Sequence, residues 1–170
     1  MKKSLFAVML SMSLAAVFTS GGQASASTPA IQITAGVKVS SPTQTLQSQT
    51  TYAKQVVTLV NRNRAKAGLK PVTLSTKLSA VAKAKAIDLY TNDYFDHISP
   101  IYGSPFKMMK AFGITYNYAG ENIARGQKTP QAVVTAWMNS PGHRANIMNK
   151  HYKYIGMSYY KGGWVQQFIG

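Results

Sequence analysis

The chain has 170 residues, no cysteine, and 19 lysines and arginines against four acids, a formal charge of +15 at pH 7. That length fits one domain able to bury a core unaided, and the missing cysteines exclude a disulfide framework, a thiol nucleophile and a thiolate zinc site. The basic excess points to polyanionic partners, either anionic cell-wall polymers or a membrane surface, while the dispersed bases argue against specific nucleic-acid binding.

Residues 1–26 open with Lys2 and Lys3, continue as an apolar run from Leu5 to Phe18, and end in Ala24-Ser25-Ala26. This is the three-part pattern of a secretory signal peptide cleaved after Ala26; the run is short for a membrane span. Processing would leave 17 bases and the same four acids, formally +13, on a protein that is secreted or held at the envelope by charge. Residues 27–50 are rich in Ser, Thr and Gln, with Lys38 as their one charge, and read as a polar linker or disordered arm. A single domain is then expected over residues 51–170.

Four helices are predicted. The first, over residues 52–68, carries Val56, Val57, Leu59 and Val60 on one broad face and stops at Gly68. The second, over 75–93, has Ser75 or Thr76 as its N-cap and a stripe of Leu78, Val81, Ala82, Ala86 and Leu89. The third and fourth share one device, a capping hydroxyl before a proline: Ser104-Pro105, ending at Gly113, and Thr129-Pro130, with Val133, Val134, Trp137 and Met138 inward. Strand-like pieces follow in "YNYAGENIA", "YKYIGMSYY" and "WVQQFIG", the last two joined by Lys161-Gly162-Gly163 as a hairpin. Helices mixed with an antiparallel sheet give an α+β class.

The groups able to do chemistry are few. The acids are Asp88, Asp93, Asp96 and Glu121, and the histidines are His97, His143 and His151. Three stretches place such a group beside Gly or Pro, which favours a fixed turn: "YFDHISP" with His97, "AGENIA" with Glu121, and "SPGHRAN" with His143 on a broken helix end. Two imidazoles and a carboxylate suit a divalent metal such as zinc, with an open position for water or substrate. The same groups could instead transfer protons. Structural roles stay open beside these: His97 and His143 as turn residues, Glu121 paired with Arg125 or Arg144, His151 at the surface. No serine lies in a G-x-S-x-G setting, and no H-E-x-x-H is present.

Taken together, "YFDHISP", the run from Gly120 to Asn146 containing "GENIA" and "WMNSPGHRAN", and the closing "WVQQFIG" resemble the CAP superfamily, also called the SCP or PR-1-like domain, in its bacterial secreted branch. The resemblance covers residues 51–170. It implies a three-layer α-β-α sandwich with a central antiparallel sheet, and a cleft lined by two histidines and acidic residues. The histidines map to His97 and His143 and the first glutamate to Glu121, with Asn122 beside it. The position of the second acid, three residues after a tryptophan, is Ser140, so one carboxylate of the pattern is missing. Relatives are linked to lipid binding, proteolysis and defence, and fold alone does not choose among these. The leading expectation is a binding module at the cell envelope, its cleft taking a metal and a small-molecule, lipid or peptide-like ligand. The rivals are a metal-dependent peptidase, with Glu121 acting on a metal-bound water, and a spore coat or germination protein working through protein contacts.

Overall fold

A computed structural model describes residues 42–170, with side chains from residue 47 onward. The predicted signal peptide and residues 27–41 lie outside them. The first helix, α1 (Pro42–Lys66), begins ahead of the boundary expected at Thr51. Residues 42–50, assigned by composition to the polar arm, are helical. Their polarity conceals the helix, because no apolar stripe marks a buried face there. The buried face starts with Ala53 and continues through Val56 and Val60 to Arg64.

The remaining elements follow as β1 (Thr73–Leu74), α2 (Thr76–Thr91), α3 (Pro105–Ala111), β2 (Ala119–Arg125), α4 (Pro130–Asn139), α5 (Pro141–Ile147), β3 (Tyr154–Tyr160) and β4 (Gly163–Ile169). The caps read from sequence are made. Ser75, Ser104 and Thr129 each accept from a backbone N–H three residues on, with Pro105 and Pro130 opening their helices. The short helix α5 and the two-residue β1 were not predicted. Pro141 and Gly142 looked like breakers, yet a proline fits the first turn of a new helix, where its missing N–H costs nothing.

The four strands lie in the order β1-β3-β4-β2. β3 pairs antiparallel with β4, and β4 with β2, while the short β1 runs parallel to β3 at the far edge. Lys161 and Gly162 both have positive φ, 44° and 89°, as a type I′ hairpin turn requires.

Side chains alternate across the sheet and sort the helices into two outer layers. On one face Ala124, Ile155, Met157, Trp164 and Phe168 pack with Val56, Val60, Val133, Val134, Trp137 and Ile147 from α1, α4 and α5. On the other, Ile123 and Val165 pack with Ala82, Ala86 and Leu89 of α2, while Leu78 and Val81 meet Met108 and Met109 of α3. The helix α2 sits so close to β3 that a Cβ at Gly156 would lie 2.5 Å from the carbonyl carbon of Leu78. The result is the expected α-β-α sandwich, with β2 at an edge between the two helical layers.

Candidate functional site

The site is built on that edge strand. Consecutive residues of β2 point to opposite faces, so Glu121 lies toward the α2 layer and Asn122 toward the α4 and α5 layer. Each meets its cross-strand partner on β4: Gln167 Nε2 donates to Glu121 Oε2 at 2.9 Å, and Asn122 Nδ2 donates to Gln166 Oε1 at 2.9 Å. Two adjacent amides in an otherwise apolar strand were the sequence signal for these partners.

Glu121 is buried, its side chain 1% exposed, and its other oxygen Oε1 takes the Nδ1 of His97 at 2.9 Å. A carboxylate only accepts, so neutral His97 carries its proton on Nδ1 and turns Nε2 outward. The expected pairing of Glu121 with Arg125 or Arg144 is not made; Arg125 donates instead to the carbonyls of Leu89 and Tyr94. Nor does His97 serve the Ser99-Pro100 turn, since Ser99 Oγ accepts from the N–H groups of Ile101 and Tyr102.

The loop carrying His97 is tied down from below by a lysine that sequence reasoning passed over. Lys85 is fully buried, and its Nζ donates to the Tyr94 hydroxyl at 2.9 Å and to the carbonyls of Asp96 at 2.8 Å and His97 at 3.0 Å. Tyr94 in turn donates to buried Asp88. Burial lowers the Lys85 ammonium from its ordinary value, against the opposing pull of Glu121, Asp88 and Asp96. Burial first, and the Asp88 carboxylate second, push the Tyr94 phenol upward. Helical spacing from Val81 and Ala82 places Lys85 on the buried stripe, which was a readable signal.

His143 reaches the site from the opposite layer. It sits in the first turn of α5, not on a loop as the sequence suggested. Its Nδ1 lies 2.8 Å from the Oγ of Ser140, which makes no capping bond to its own helix. Where the family pattern would place a second acid, this chain therefore has a hydroxyl that holds the imidazole. Burial lowers the His143 pKa from its ordinary value, and the nearby His97 lowers it further.

Asn146 clamps α5 to the strand, donating to the Glu121 carbonyl at 3.0 Å and to Asn122 Oδ1 at 2.9 Å. Asn122 donates to the His143 carbonyl at 3.1 Å. It is fully buried, so it lines no exposed surface. The outward carbonyls of the edge strand are thus covered, Glu121 by Asn146 and Ile123 by Trp137 Nε1. Gly120 leaves room for this packing: a Cβ there would lie 2.7 Å from Asn146 Oδ1 and collide with the Tyr152 hydroxyl. At the other end of α5, buried Arg64 donates to the carbonyls of Ile147 and Asn149. His151 is exposed and stacks on Tyr118.

With each Nδ1 held, the Nε2 atoms of His97 and His143 are the donors of this set left for a divalent ion, whose shell water or a ligand would have to complete. The set does not fit a centre with three protein ligands, because both Glu121 oxygens are engaged. Among the described residues no group of three His, Cys, Asp or Glu side chains could hold a metal.

The model of the family described as "CAP: Cysteine-rich secretory protein family" matches residues 57–168. A Bacillus subtilis (strain 168) protein called uncharacterized protein YkwD is 54% identical over 135 residues, which is 78% of this chain and 52% of that protein. A second from the same organism, called uncharacterized membrane protein YlbC, is 35% identical over 71% of this chain and 35% of its own length. The chain thus spans about half or less of the curated relatives it matches. Among solved structures, an extracellular protein containing an SCP domain from Bacillus anthracis superposes with a TM-score of 0.74 at 29% identity, over 76% of this chain and 43% of that one. An outer surface protein of Borrelia burgdorferi gives 0.63 at 27% identity, over 68% and 90%.

Proposed function

This chain belongs to the cysteine-rich secretory protein (CAP) family, and from that premise and the geometry of its cleft we propose that it is an extracellular binding domain of a bacterium. Its cleft takes a divalent ion of the zinc class between His97 and His143, and a small or peptide-like ligand at the open positions. An extracellular location is supported by the signal-peptide pattern of residues 1–26 and by the extracellular and outer-surface descriptions of the structural relatives. Among the described residues no helix is long and apolar enough to cross a membrane. The basic excess holds the domain at the envelope.

One observation carries the reading: each histidine has its Nδ1 held, by Glu121 and by Ser140, which leaves both Nε2 atoms to a ligand. Outer groups that orient imidazoles in this way are what metal-binding histidines use. The lowered pKa of His143 keeps its nitrogen a lone-pair donor near neutral pH. The rival reading as a metal-dependent peptidase draws less support, since Glu121 is committed to His97 and Gln167.

The test is a calorimetric zinc titration of the processed chain beside His97→Ala/His143→Ala. One-to-one binding that disappears in the double variant is the expected result. Equal heats from the two proteins would remove the cleft as a metal site.

A further inference from the structure

We propose that the outer face of residues 101–112 docks the domain on an anionic lipid bilayer. Four large apolar side chains stand exposed there: Ile101 at 65%, Phe106 at 45%, Tyr102 at 38% and Phe112 at 37%. They are held in place. Ser99 and Gly103 exchange backbone hydrogen bonds of 2.8 and 2.9 Å, which puts Ile101 and Tyr102 at the tip of a closed loop. The Tyr102 ring packs edge-on against Phe112 at 5.9 Å. The helix α3 buries Met108 and Met109 and turns Phe106, Lys107 and Lys110 outward.

Lysines stand beside these rings, and the acid that lines the hollow under Ile101 and Tyr102, Asp88, is buried. The Lys107 stem runs beside Gly103, where a Cβ would lie 3.2 Å from its Cδ. Lys77 reaches the rim, donating to the Gly113 carbonyl. From His97 to Gly120 the sequence contains no acid. Rigid exposed rings interleaved with lysines complement a bilayer with anionic headgroups, the rings entering the interface and the lysines staying at headgroup level. A hydrated wall polymer would use the lysines and leave the rings in water, so the apolar half of the face favours lipid. The proposal is independent of any metal in the cleft.

The test is sedimentation of the processed chain with vesicles of phosphatidylglycerol and phosphatidylcholine, and with phosphatidylcholine alone. Binding should require phosphatidylglycerol. Ile101→Ser/Phe106→Ser should weaken it about tenfold or more, and Lys107→Gln/Lys110→Gln about tenfold or more, with circular dichroism unchanged. Lys150→Gln/Lys153→Gln, the same charge change at exposed residues outside this face, should have a much smaller effect. The proposal is overturned if phosphatidylglycerol vesicles are not bound, or if the apolar double variant binds them like the wild type. It also fails if the control lysine pair matters as much as Lys107 and Lys110. A polyglycerol-phosphate polymer that binds in place of the vesicles, indifferent to Ile101 and Phe106, would likewise assign the face to wall polymer.

Discussion

The two walls of the cleft place the same kind of ring by different means. The His97 wall is a loop, exposed at its tip and anchored by charge: a buried lysine grips its carbonyls and a buried carboxylate grips its imidazole. The His143 wall is a helix turn, anchored by neutral amides from Asn122 and Asn146 and finished with a serine hydroxyl. One imidazole has an anionic partner and the other a neutral one, so equal roles in binding do not mean equal responses to pH or mutation.

The two walls should differ most in their response to loss of Lys85. Lys85→Met should cost about 3 kcal/mol, because two loop carbonyls and the Tyr94–Asp88 pair lose a buried charged donor. Urea unfolding measures the loss, and hydrogen exchange should quicken in residues 94–97 but not in 141–147. Exchange that quickens equally on both sides would mean the walls are not independent.

Asn146→Ala attacks the other wall. It removes the bonds to the Glu121 carbonyl and Asn122 Oδ1 and leaves a strand carbonyl uncovered, at an expected cost of about 2 kcal/mol. The His143 resonances should move in an NMR spectrum while those of the Lys85-anchored loop stay. If zinc is bound, Glu121→Gln should weaken it about thirtyfold and Ser140→Ala about tenfold, since a charged orienting partner matters more than a neutral one. A reversed order would argue against the assigned roles.

The smallest expected effect concerns pH. His143 is lowered by burial and then by His97, so His97→Ala should raise its midpoint toward the ordinary value. A folded-state value below the unfolded one means that the stability tied to neutral His143 is complete above about pH 6.5. It is lost as pH falls through the folded midpoint. A His143 midpoint that stays unchanged in His97→Ala would show that the two rings do not sense each other.

Much of this arrangement was legible in the residues themselves. Ser104-Pro105 and Thr129-Pro130 announce helix starts because cap and proline act locally, and the stretch "YNYAGENIA", read as strand-like, contains most of β2. The three site groups were singled out by Gly and Pro neighbours and by their scarcity. What stayed hidden depends on contacts distant in sequence. Lys85 looks like one lysine of an exposed face until the loop carrying His97 folds over it. Residues 42–50 lack an apolar stripe, and Pro141-Gly142 reads equally as an end or a beginning. That Glu121 holds a histidine and not an arginine could not be read from spacing, because both partners lie within reach on paper.

Glu121 and Ser140 hold the two imidazoles by Nδ1 and leave both Nε2 atoms to a ligand. This arrangement is tested most directly by nitrogen-15 NMR of labelled histidine side chains, without and then with one equivalent of zinc. His97 should be the Nδ1-protonated tautomer before zinc, and zinc should shift Nε2 of both His97 and His143 and leave His151 unchanged. A His97 protonated on Nε2, or zinc that moves only His151, would contradict that arrangement.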